Sequence, residues 1–470
     1  MAHGFRHFRR MLLLALIGLA AAGLPACASE PSGIIAVVSD IHFNPLAAPD
    51  LAPRLAAAEP KEWPSVFASA GGQGFPARGE DTSQALLASA LGALSGTAGD
   101  ADLVVVTGDL LAHRFQEAAA HALGTSPTSS VVTGLASKTA LYVADTLRAA
   151  LPGRPVLLAL GNNDSECGDY QLEPGGAFLA SLRDMVRELA GPDRLAQDFD
   201  QTYMAGGYYA MRHPTLPGVT ILTVNDVLWS TDYRDACGTS GDQAAAAMMG
   251  WLEQQLSEAR AAGRRVWLVH HIPVGIDAYA TLHASAELSC PARVIPFLKD
   301  PFASRFIELL RAYAAIIQAG FSGHTHQDSY RLIMDAIVGV EKVTPSISPI
   351  FGNNPGFHVF NYDRQTGNVT DFSTWYLANL EQTTAPSQGE WRREYVFTET
   401  YVEQTYSAAA VKRIANAMLG TGAEEAGISN AFRRLYLVSH GEIPVGALTA
   451  HACAISNPTL SSYTACYCYR

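Results

Sequence analysis

The stretch DLVVVTGD, residues 102–109, contains four apolar residues, three of them β-branched, followed by Thr107 and the pair Gly108-Asp109. A short apolar run of this kind is typical of a buried strand. Further runs of the same character lie at residues 34–40, 155–162, 218–226, 264–271 and 314–324. Helical patterns separate several of them, as at 82–94 and at 242–263. This alternation of strands and helices predicts a layered α/β architecture.

The pattern changes in the later part of the chain. Strand-and-turn patterns occupy residues 330–343, 356–363 and 369–380, and helical and loop patterns return from about residue 381. We therefore predict a signal segment at 1–26, a main domain at 27–380 and a small C-terminal helical subdomain at 381–470. The stretch 112–135 is rich in Ala, Ser, Thr and Gly, and this composition predicts a loop or lid.

Five of the predicted strands end in residues that bind metal ions in proteins. They are Asp40 and His42, Asp109, Asn162, His270 and His271, and His324 and His326. Taken singly, such an Asp is usually a turn residue or helix cap, and such a His is usually a satisfied core residue. Because ligands gather at the carboxyl ends of strands in an α/β sheet, we expect all of them to meet at one place. Together they supply the donors that two adjacent metal ions need, and imidazole and carboxylate favour zinc, iron or manganese over calcium.

The order of these motifs, Asp-x-His, Gly-Asp, Gly-Asn, His and Gly-His-x-His, resembles that of the calcineurin-like metallophosphoesterases. Three further stretches resemble the acid sphingomyelinase-like phosphodiesterase branch: GDLLAH at 108–113, HIPVG at 271–275 and PSISPIFGNNPGFHVFNYD at 345–363. The resemblance covers roughly residues 34–380. It implies a four-layer α/β/β/α sandwich, with the helical subdomain after it. It also implies hydrolysis of phosphodiester or phosphoanhydride bonds at two divalent ions, for which zinc is expected in preference to iron or manganese.

The resemblance also implies the ligand sets. Asp40, His42, Asp109 and His326 would hold the first metal. Asp109, Asn162, His271 and His324 would hold the second, so that Asp109 bridges the two. His271 is preferred to His270 because the Ile-Pro that follows it matches the family. Since neighbouring residues of a strand point to opposite faces, His270 is expected to have a structural role.

Asn163 departs from the family pattern, which usually has His directly after the ligand Asn. An amide is not a general acid at ordinary pH, but it can donate a hydrogen bond to a phosphoryl oxygen, which is the role expected of Asn163. His113, four residues after Asp109, is the expected general acid that protonates the leaving oxygen. Asp164 matches the acidic residue that ends the family motif, and the sequence assigns it no role.

Other functions stay open at this point. The alternatives are an endopolyphosphatase or nucleotide phosphohydrolase, an acid phosphomonoesterase, and a metal-binding surface lipoprotein without catalysis. Small-molecule and lipid phosphodiesters are both compatible with the site. The formal charge of −12 and the absence of a Lys/Arg-rich block after the first residues argue against nucleic-acid binding.

The N-terminus predicts export. Arg6, Arg9 and Arg10 precede the apolar run MLLLALIGLAAAGL, which is typical of a secretory signal peptide. The run continues into Pro25-Ala26-Cys27, and this ending resembles the lipobox of bacterial lipoproteins, in which the Cys is acylated. We expect a periplasmic or cell-surface protein that is anchored to the membrane through Cys27. An ordinary signal peptide with an incidental Cys is the alternative.

The remaining cysteines support export to an oxidising compartment. Six of them follow Cys27, and an even number in an exported chain predicts disulfides. Six cysteines allow 15 pairings, and the sequence does not choose among them. Cys466 and Cys468 are separated by one residue and are not expected to pair with each other.

Overall fold

The computed structural model of the protein describes residues 32–72, 74–235, 237–333 and 340–470. The predicted signal segment and the predicted acylation site Cys27 lie outside the described residues. Over the described part of the chain, no helix is long and apolar enough to cross a membrane.

The strands of the described residues form two sheets of six strands each. In chain order they are β1 (Ser32–Val38), β2 (Leu103–Val106), β3 (Val156–Leu158), β4 (Tyr209–Arg212), β5 (Val219–Thr223), β6 (Arg265–Val269), β7 (Ile317–Ser322), β8 (Ser329–Leu332), β9 (Val340–Val343), β10 (Gly356–Asp363), β11 (Val369–Leu377) and β12 (Trp391–Val396).

Helices pack around these sheets. They are α1 (Ala52–Ala57), α2 (Trp63–Ser69), α3 (Gln84–Ala98), α4 (Phe115–Leu123), α5 (Ser130–Ala150), α6 (Ala177–Ala190), α7 (Phe199–Gly206), α8 (Asp242–Ala261), α9 (Ala278–His283), α10 (Phe302–Ala312), α11 (Phe397–Tyr401), α12 (Ala408–Leu419), α13 (Ala423–Leu435), α14 (Leu448–Ser456) and α15 (Leu460–Cys468).

The two sheets have parallel centres and antiparallel edges. The first sheet has the order β12-β11-β10-β1-β2-β3, with β1, β2 and β3 parallel and β10, β11 and β12 antiparallel to their neighbours. The second has the order β4-β5-β6-β7-β9-β8, with β5, β6, β7 and β9 parallel and an antiparallel strand at each edge. The six apolar runs predicted as buried strands are therefore all strands.

Large aromatic side chains fill the space between the sheets. Trp267 of β6 lies edge-on to Tyr362 of β10 with ring centroids 5.4 Å apart, and Phe321 of β7 lies 5.2 Å from Phe360 of β10. Helices α3, α5 and α6 cover the outer face of the first sheet, and α8 and α10 cover that of the second. The layers are thus helix, sheet, sheet and helix, and the predicted four-layer α/β/β/α sandwich is confirmed.

The predicted loop or lid at 112–135 is wrong. Helix α4 and the first turns of α5 occupy most of this stretch. The Ala residues that suggested low complexity are the strongest helix formers, and those of α4 bury one face against the core.

The C-terminal region is mostly helical, as expected, but it also contains β12, which the sequence reading missed and which pairs with β11. The boundary at residue 380 stays a prediction. Three disulfides join Cys167 to Cys237, Cys290 to Cys468 and Cys453 to Cys466. Cys466 and Cys468 pair with different partners, as predicted.

Candidate metal centre

The polar strand ends of both sheets meet at one edge of the sandwich. The loops after β1, β2 and β3 come from the first sheet, and the loops after β6 and β7 come from the second. All the side chains predicted as metal ligands lie in these five loops, and the contacts among them form two clusters.

The first cluster contains Asp40, His42, Asp109 and His326. His42 Nε2 lies 3.1 Å from His326 Nε2 and 3.3 Å from Asp109 Oδ2. Asp40 Oδ1 lies 3.4 Å from His326 Nε2 and 3.7 Å from His42 Nε2. These side chains are buried. Four donor atoms therefore face a common point, and His113 approaches the same point from outside.

The second cluster shares Asp109 with the first. Its Oδ2 lies 3.3 Å from His271 Nε2, which lies 3.0 Å from Asn162 Oδ1. His324 Nδ1 lies 2.9 Å from the same Asn162 oxygen. One oxygen of Asp109 is thus equidistant from a histidine of each cluster, which is the position of a bridging ligand.

The spacing of the donors fits divalent metal ions. Zinc bonds of about 2.0–2.2 Å place the ligands of a four- to six-coordinate ion about 2.9–3.6 Å apart. The separations in the two clusters run from 2.9 to 3.7 Å. Moreover, His42 Nε2 and His326 Nε2 lie close together in the buried interior, where one cation would bind both nitrogens. The donor set and its spacing therefore suit a dinuclear centre.

Comparison with known families agrees with this geometry. Residues 34–328 match the family model described as calcineurin-like phosphoesterase, which is more than half of the chain. The chain belongs to the calcineurin-like phosphoesterase family. Residues 333–469 match the model described as acid sphingomyelin phosphodiesterase C-terminal region. The resemblance predicted from the strand-end motifs is confirmed.

Relatives with similar sequences are named as phosphodiesterases. A sphingomyelinase phosphodiesterase D of Dictyostelium discoideum is 27% identical over 334 residues, which cover 69% of this chain and 66% of the relative. A cyclic GMP-AMP phosphodiesterase of Mus musculus is 24% identical over 330 residues, covering 68% and 67%. An acid sphingomyelinase-like phosphodiesterase 3b of Homo sapiens is 25% identical over 429 residues, covering 85% of each chain. The chain thus spans about two thirds of the first two relatives.

The ligand loops of this phosphoesterase have an unusual backbone. Five of the seven predicted ligands have φ in the left-handed region, namely Asp40 at 49°, His42 at 44°, Asp109 at 59°, His324 at 68° and His326 at 65°. Non-glycine residues rarely adopt this conformation, and strain of this kind collects at functional sites. The chain therefore holds functional side chains where the local backbone would favour glycine.

Two glycines let the ligand loops approach each other. A Cβ on Gly161 would lie 2.2 Å from Asp109 Oδ1, and a Cβ on Gly323 would lie 2.5 Å from Asp40 Oδ2. Any larger residue would push a predicted ligand out of its cluster. The Gly-Asn and Gly-His motifs thus need glycine because of contacts with distant loops.

Hydrogen bonds to the core fix two imidazole rings. His42 Nδ1 donates to the Leu111 carbonyl at 2.8 Å, and His271 Nδ1 donates to the Thr107 carbonyl at 3.0 Å. Both bonds use Nδ1 as the donor and direct Nε2 toward Asp109. Outer contacts of this kind orient metal-binding histidines.

Strong electrostatic coupling marks the centre. Burial lowers the pKa of His271, but the negative charge of Asp109 outweighs it and raises that pKa to about 10. The same balance raises the pKa of His42 to about 9. Burial and the charge of His271 lower the pKa of His324 to about 4. Burial would raise the pKa of Asp109, but the charges of His271 and His42 hold it well below its usual range. The centre therefore holds ionised carboxylates among buried imidazoles, and each group shifts the pKa of its neighbours.

Asp164 links the loops that carry Asp109 and Asn162. Its Oδ2 accepts from the backbone N–H groups of Asp109 and Gly161, each at 2.9 Å. Its Oδ1 accepts from the N–H groups of Leu110 at 2.7 Å and Leu111 at 3.3 Å. Burial and the charge of Asp109 raise its pKa to about 6, against the opposing effect of the backbone donors. The role that the sequence left unassigned is that of a clamp between β2 and β3.

Asn163 lies against the shared carboxylate. Its backbone N–H donates to Asp109 Oδ1 at 2.8 Å, and its Nδ2 donates to Asp109 Oδ2 at 3.0 Å. The side chain is buried. Asn163 thus orients the Asp109 carboxylate through two hydrogen bonds.

His113 stands beside the first cluster, paired with an Asp that the sequence reading missed. Its ring stacks on that of His42 with centroids 3.9 Å apart, and a ring nitrogen lies within 4.8 Å of those of His42 and His326. His113 Nδ1 lies 3.0 Å from Asp81 Oδ1, which also accepts from Ser348 Oγ at 2.9 Å. Burial would raise the pKa of Asp81, but its hydrogen bond with His113 lowers it. Asp81 lies 28 residues before Asp109, and no local motif marks it.

His270 lies away from both clusters. Its Nδ1 is 2.9 Å from Asp226 Oδ2, and the Asp226 carboxylate also accepts from Ile272 N–H at 3.1 Å. The ring is buried. His270 and Asp226 thus support the loop that carries His271.

Proposed function

We propose that the protein hydrolyses phosphodiester bonds at a centre of two divalent ions. Asp40, His42, Asp109 and His326 would hold the first ion; Asp109, Asn162, His271 and His324 would hold the second. The observation that carries the proposal is the Asp109 Oδ2 atom, which lies 3.3 Å from His42 Nε2 and 3.3 Å from His271 Nε2. When bound, the two ions supply an activated water and stabilise the charge on the phosphoryl oxygens.

The surrounding residues would assist the reaction. His113 is the proposed general acid, since Asp81 orients its ring through a hydrogen bond to Nδ1. The side chain of His113 is 23% exposed, so it can exchange protons with solvent while it faces the centre. Asn163 would keep Asp109 in its bridging orientation and donate its remaining amide proton to a phosphoryl oxygen.

Zinc is the proposed metal. Four of the seven ligands are imidazoles, which suit zinc, and carboxylate and amide oxygens complete each set. Metal analysis of the purified protein checks this, with two zinc ions per chain expected. The names of the relatives support a phosphodiester substrate, of the lipid or the nucleotide type.

A substrate panel tests the function. The metal-loaded protein is assayed against bis(p-nitrophenyl) phosphate, p-nitrophenyl phosphate, sphingomyelin and a cyclic dinucleotide. We expect faster turnover of the diester than of the monoester. Asp109→Ala should abolish turnover, whereas Asp193→Ala, at an exposed site, should retain it. A folded, metal-loaded protein that is inert toward the whole panel would overturn the proposal.

We also propose that the chain is exported and anchored through an acylated Cys27. Three disulfides support an oxidising compartment. Labelling of the expressed protein with a radioactive fatty acid tests the anchor. We expect label and membrane association for the wild type and neither for Cys27→Ser, and equal membrane association of both would overturn the anchor.

A further inference from the structure

One segment outside the two clusters contacts Asn162 and His324, two of the three ligands that the second ion does not share with the first. Asn162 Nδ2 donates to Asp169 Oδ1 at 2.7 Å. Because a carboxylate only accepts hydrogen bonds, Asp169 selects the amide orientation that directs Asn162 Oδ1 toward His271 and His324. Asp169 contacts none of the other predicted ligands, and its own side chain is exposed.

The next residue, Tyr170, contacts the same two ligands. Its backbone N–H donates to the Asn162 carbonyl at 2.8 Å, and its hydroxyl lies 3.4 Å from His324 Nε2. Tyr170 has φ of 55°, which is uncommon for a bulky residue and strains the backbone. Such a conformation persists only where the surroundings hold it in place.

Contacts with a distant loop supply that support. The Cys167–Cys237 disulfide attaches the segment to the loop after β5, across 70 residues of chain. Arg234 N–H donates to the Tyr170 carbonyl at 3.0 Å, and Tyr233 Oη donates to the Leu172 carbonyl at 3.0 Å. In the first cluster, by contrast, His42 donates to the carbonyl of Leu111, a residue whose N–H group donates to the buried Asp164.

We infer that Asp169 is a positioning residue for the second metal ion, and that the Cys167–Cys237 disulfide holds it against Asn162. The affinity of the second site then depends on this segment, whereas the affinity of the first does not. The inference rests on the two-metal assignment of the proposed function. Loss of an outer hydrogen bond to a metal ligand typically weakens binding about 10–100-fold.

Calorimetric titration of the metal-free protein with Zn²⁺ tests the inference without an activity assay. We expect two sites in the wild type. Asp169→Ala, and separately the double change Cys167→Ser/Cys237→Ser, should weaken one site about 10–100-fold and leave the other unchanged. Asp169→Asn should bind both Zn²⁺ ions as tightly as the wild type does, because the new amide oxygen can still accept from Asn162.

The matched control is Cys453→Ser/Cys466→Ser, which removes a disulfide of α14 and α15 and should leave both sites unchanged. Unchanged affinities in Asp169→Ala, equal weakening of both sites, or equal effects of the two disulfide changes would each overturn the inference. A wild type that binds fewer than two Zn²⁺ ions would instead overturn the proposed dinuclear function, and this inference with it.

Discussion

Replacement of Asp164 by Ala should loosen the junction between the loops after β2 and β3. The carboxylate is fully buried and accepts four backbone N–H groups, from Asp109, Leu110, Leu111 and Gly161. A hydrogen bond to a charged group contributes about 1.5–3 kcal/mol. If water entering the vacated space restores two of the four bonds, the remaining loss is about 3–6 kcal/mol.

Hydrogen exchange measures this loss locally. A loss of about 3 kcal/mol corresponds to roughly 100-fold faster exchange, since each 1.4 kcal/mol is a factor of ten. Mass spectrometry should therefore show at least this acceleration in peptides spanning 108–112 and 160–162. Peptides from β10 and β11 should be unaffected, and so should all peptides of the control Asp193→Ala.

Asp164→Asn sharpens the experiment. An amide keeps one accepting oxygen but turns an NH₂ group toward two backbone donors, so exchange should accelerate at one pair of amides only. If exchange at Asp109, Leu110 and Gly161 were unchanged in Asp164→Ala, the clamp assigned to this carboxylate would be refuted.

Further predictions concern the core, the acid and the metals. Lys342→Met leaves the buried Asp328 carboxylate without its ion-pair partner, so the free energy of unfolding should fall by about 3–5 kcal/mol. Urea denaturation measures this loss, and a change below about 1 kcal/mol would contradict the prediction. His113→Ala should lower kcat about 100- to 10,000-fold on alkyl phosphodiesters. The loss of kcat should be smaller on p-nitrophenyl esters, because their leaving group needs no proton. An equal loss on both substrates would exclude His113 as the general acid. If Asn163 merely replaces a general acid, Asn163→His should raise the rate on the same alkyl esters; lower rates on every substrate would instead show that the reaction needs the amide that donates to Asp109. Removal of the metal by a chelator should lower the melting temperature until zinc is added back, because a ligand at 1,000 times its Kd stabilises the fold by about 4 kcal/mol. An unchanged melting temperature would argue against bound metal.

The predictable part of the fold follows from local patterns. The apolar runs at 34–40, 102–109 and 155–162 mark strands because a strand buried on both faces needs continuous apolar sequence. The four layers follow from the family resemblance that the strand-end motifs carry. The stretch 112–135 was misread because composition was weighed above helix propensity. Strand β12 was missed because its sequence, WRREYV, carries three charged residues and no apolar run.

The sequence by itself determined which side chains meet at the centre. Asp40, Asp109, Asn162, His271 and His324 each follow a strand by a few residues, and strand ends converge at one edge of a sandwich. Their identity and approximate position are therefore local properties of the chain.

Only the tertiary structure decided what holds those side chains in place. Asp81 and Asp164 act through hydrogen bonds to partners on other loops, and Asp169 bonds Asn162 within its own loop. A carboxylate in a loop has no pattern that separates it from a turn residue. The pairing of Cys167 with Cys237 likewise depends on the distance between loops 70 residues apart. Contacts of this kind arise only when the chain is folded, because burial and distance, rather than residue type, determine which polar groups become partners.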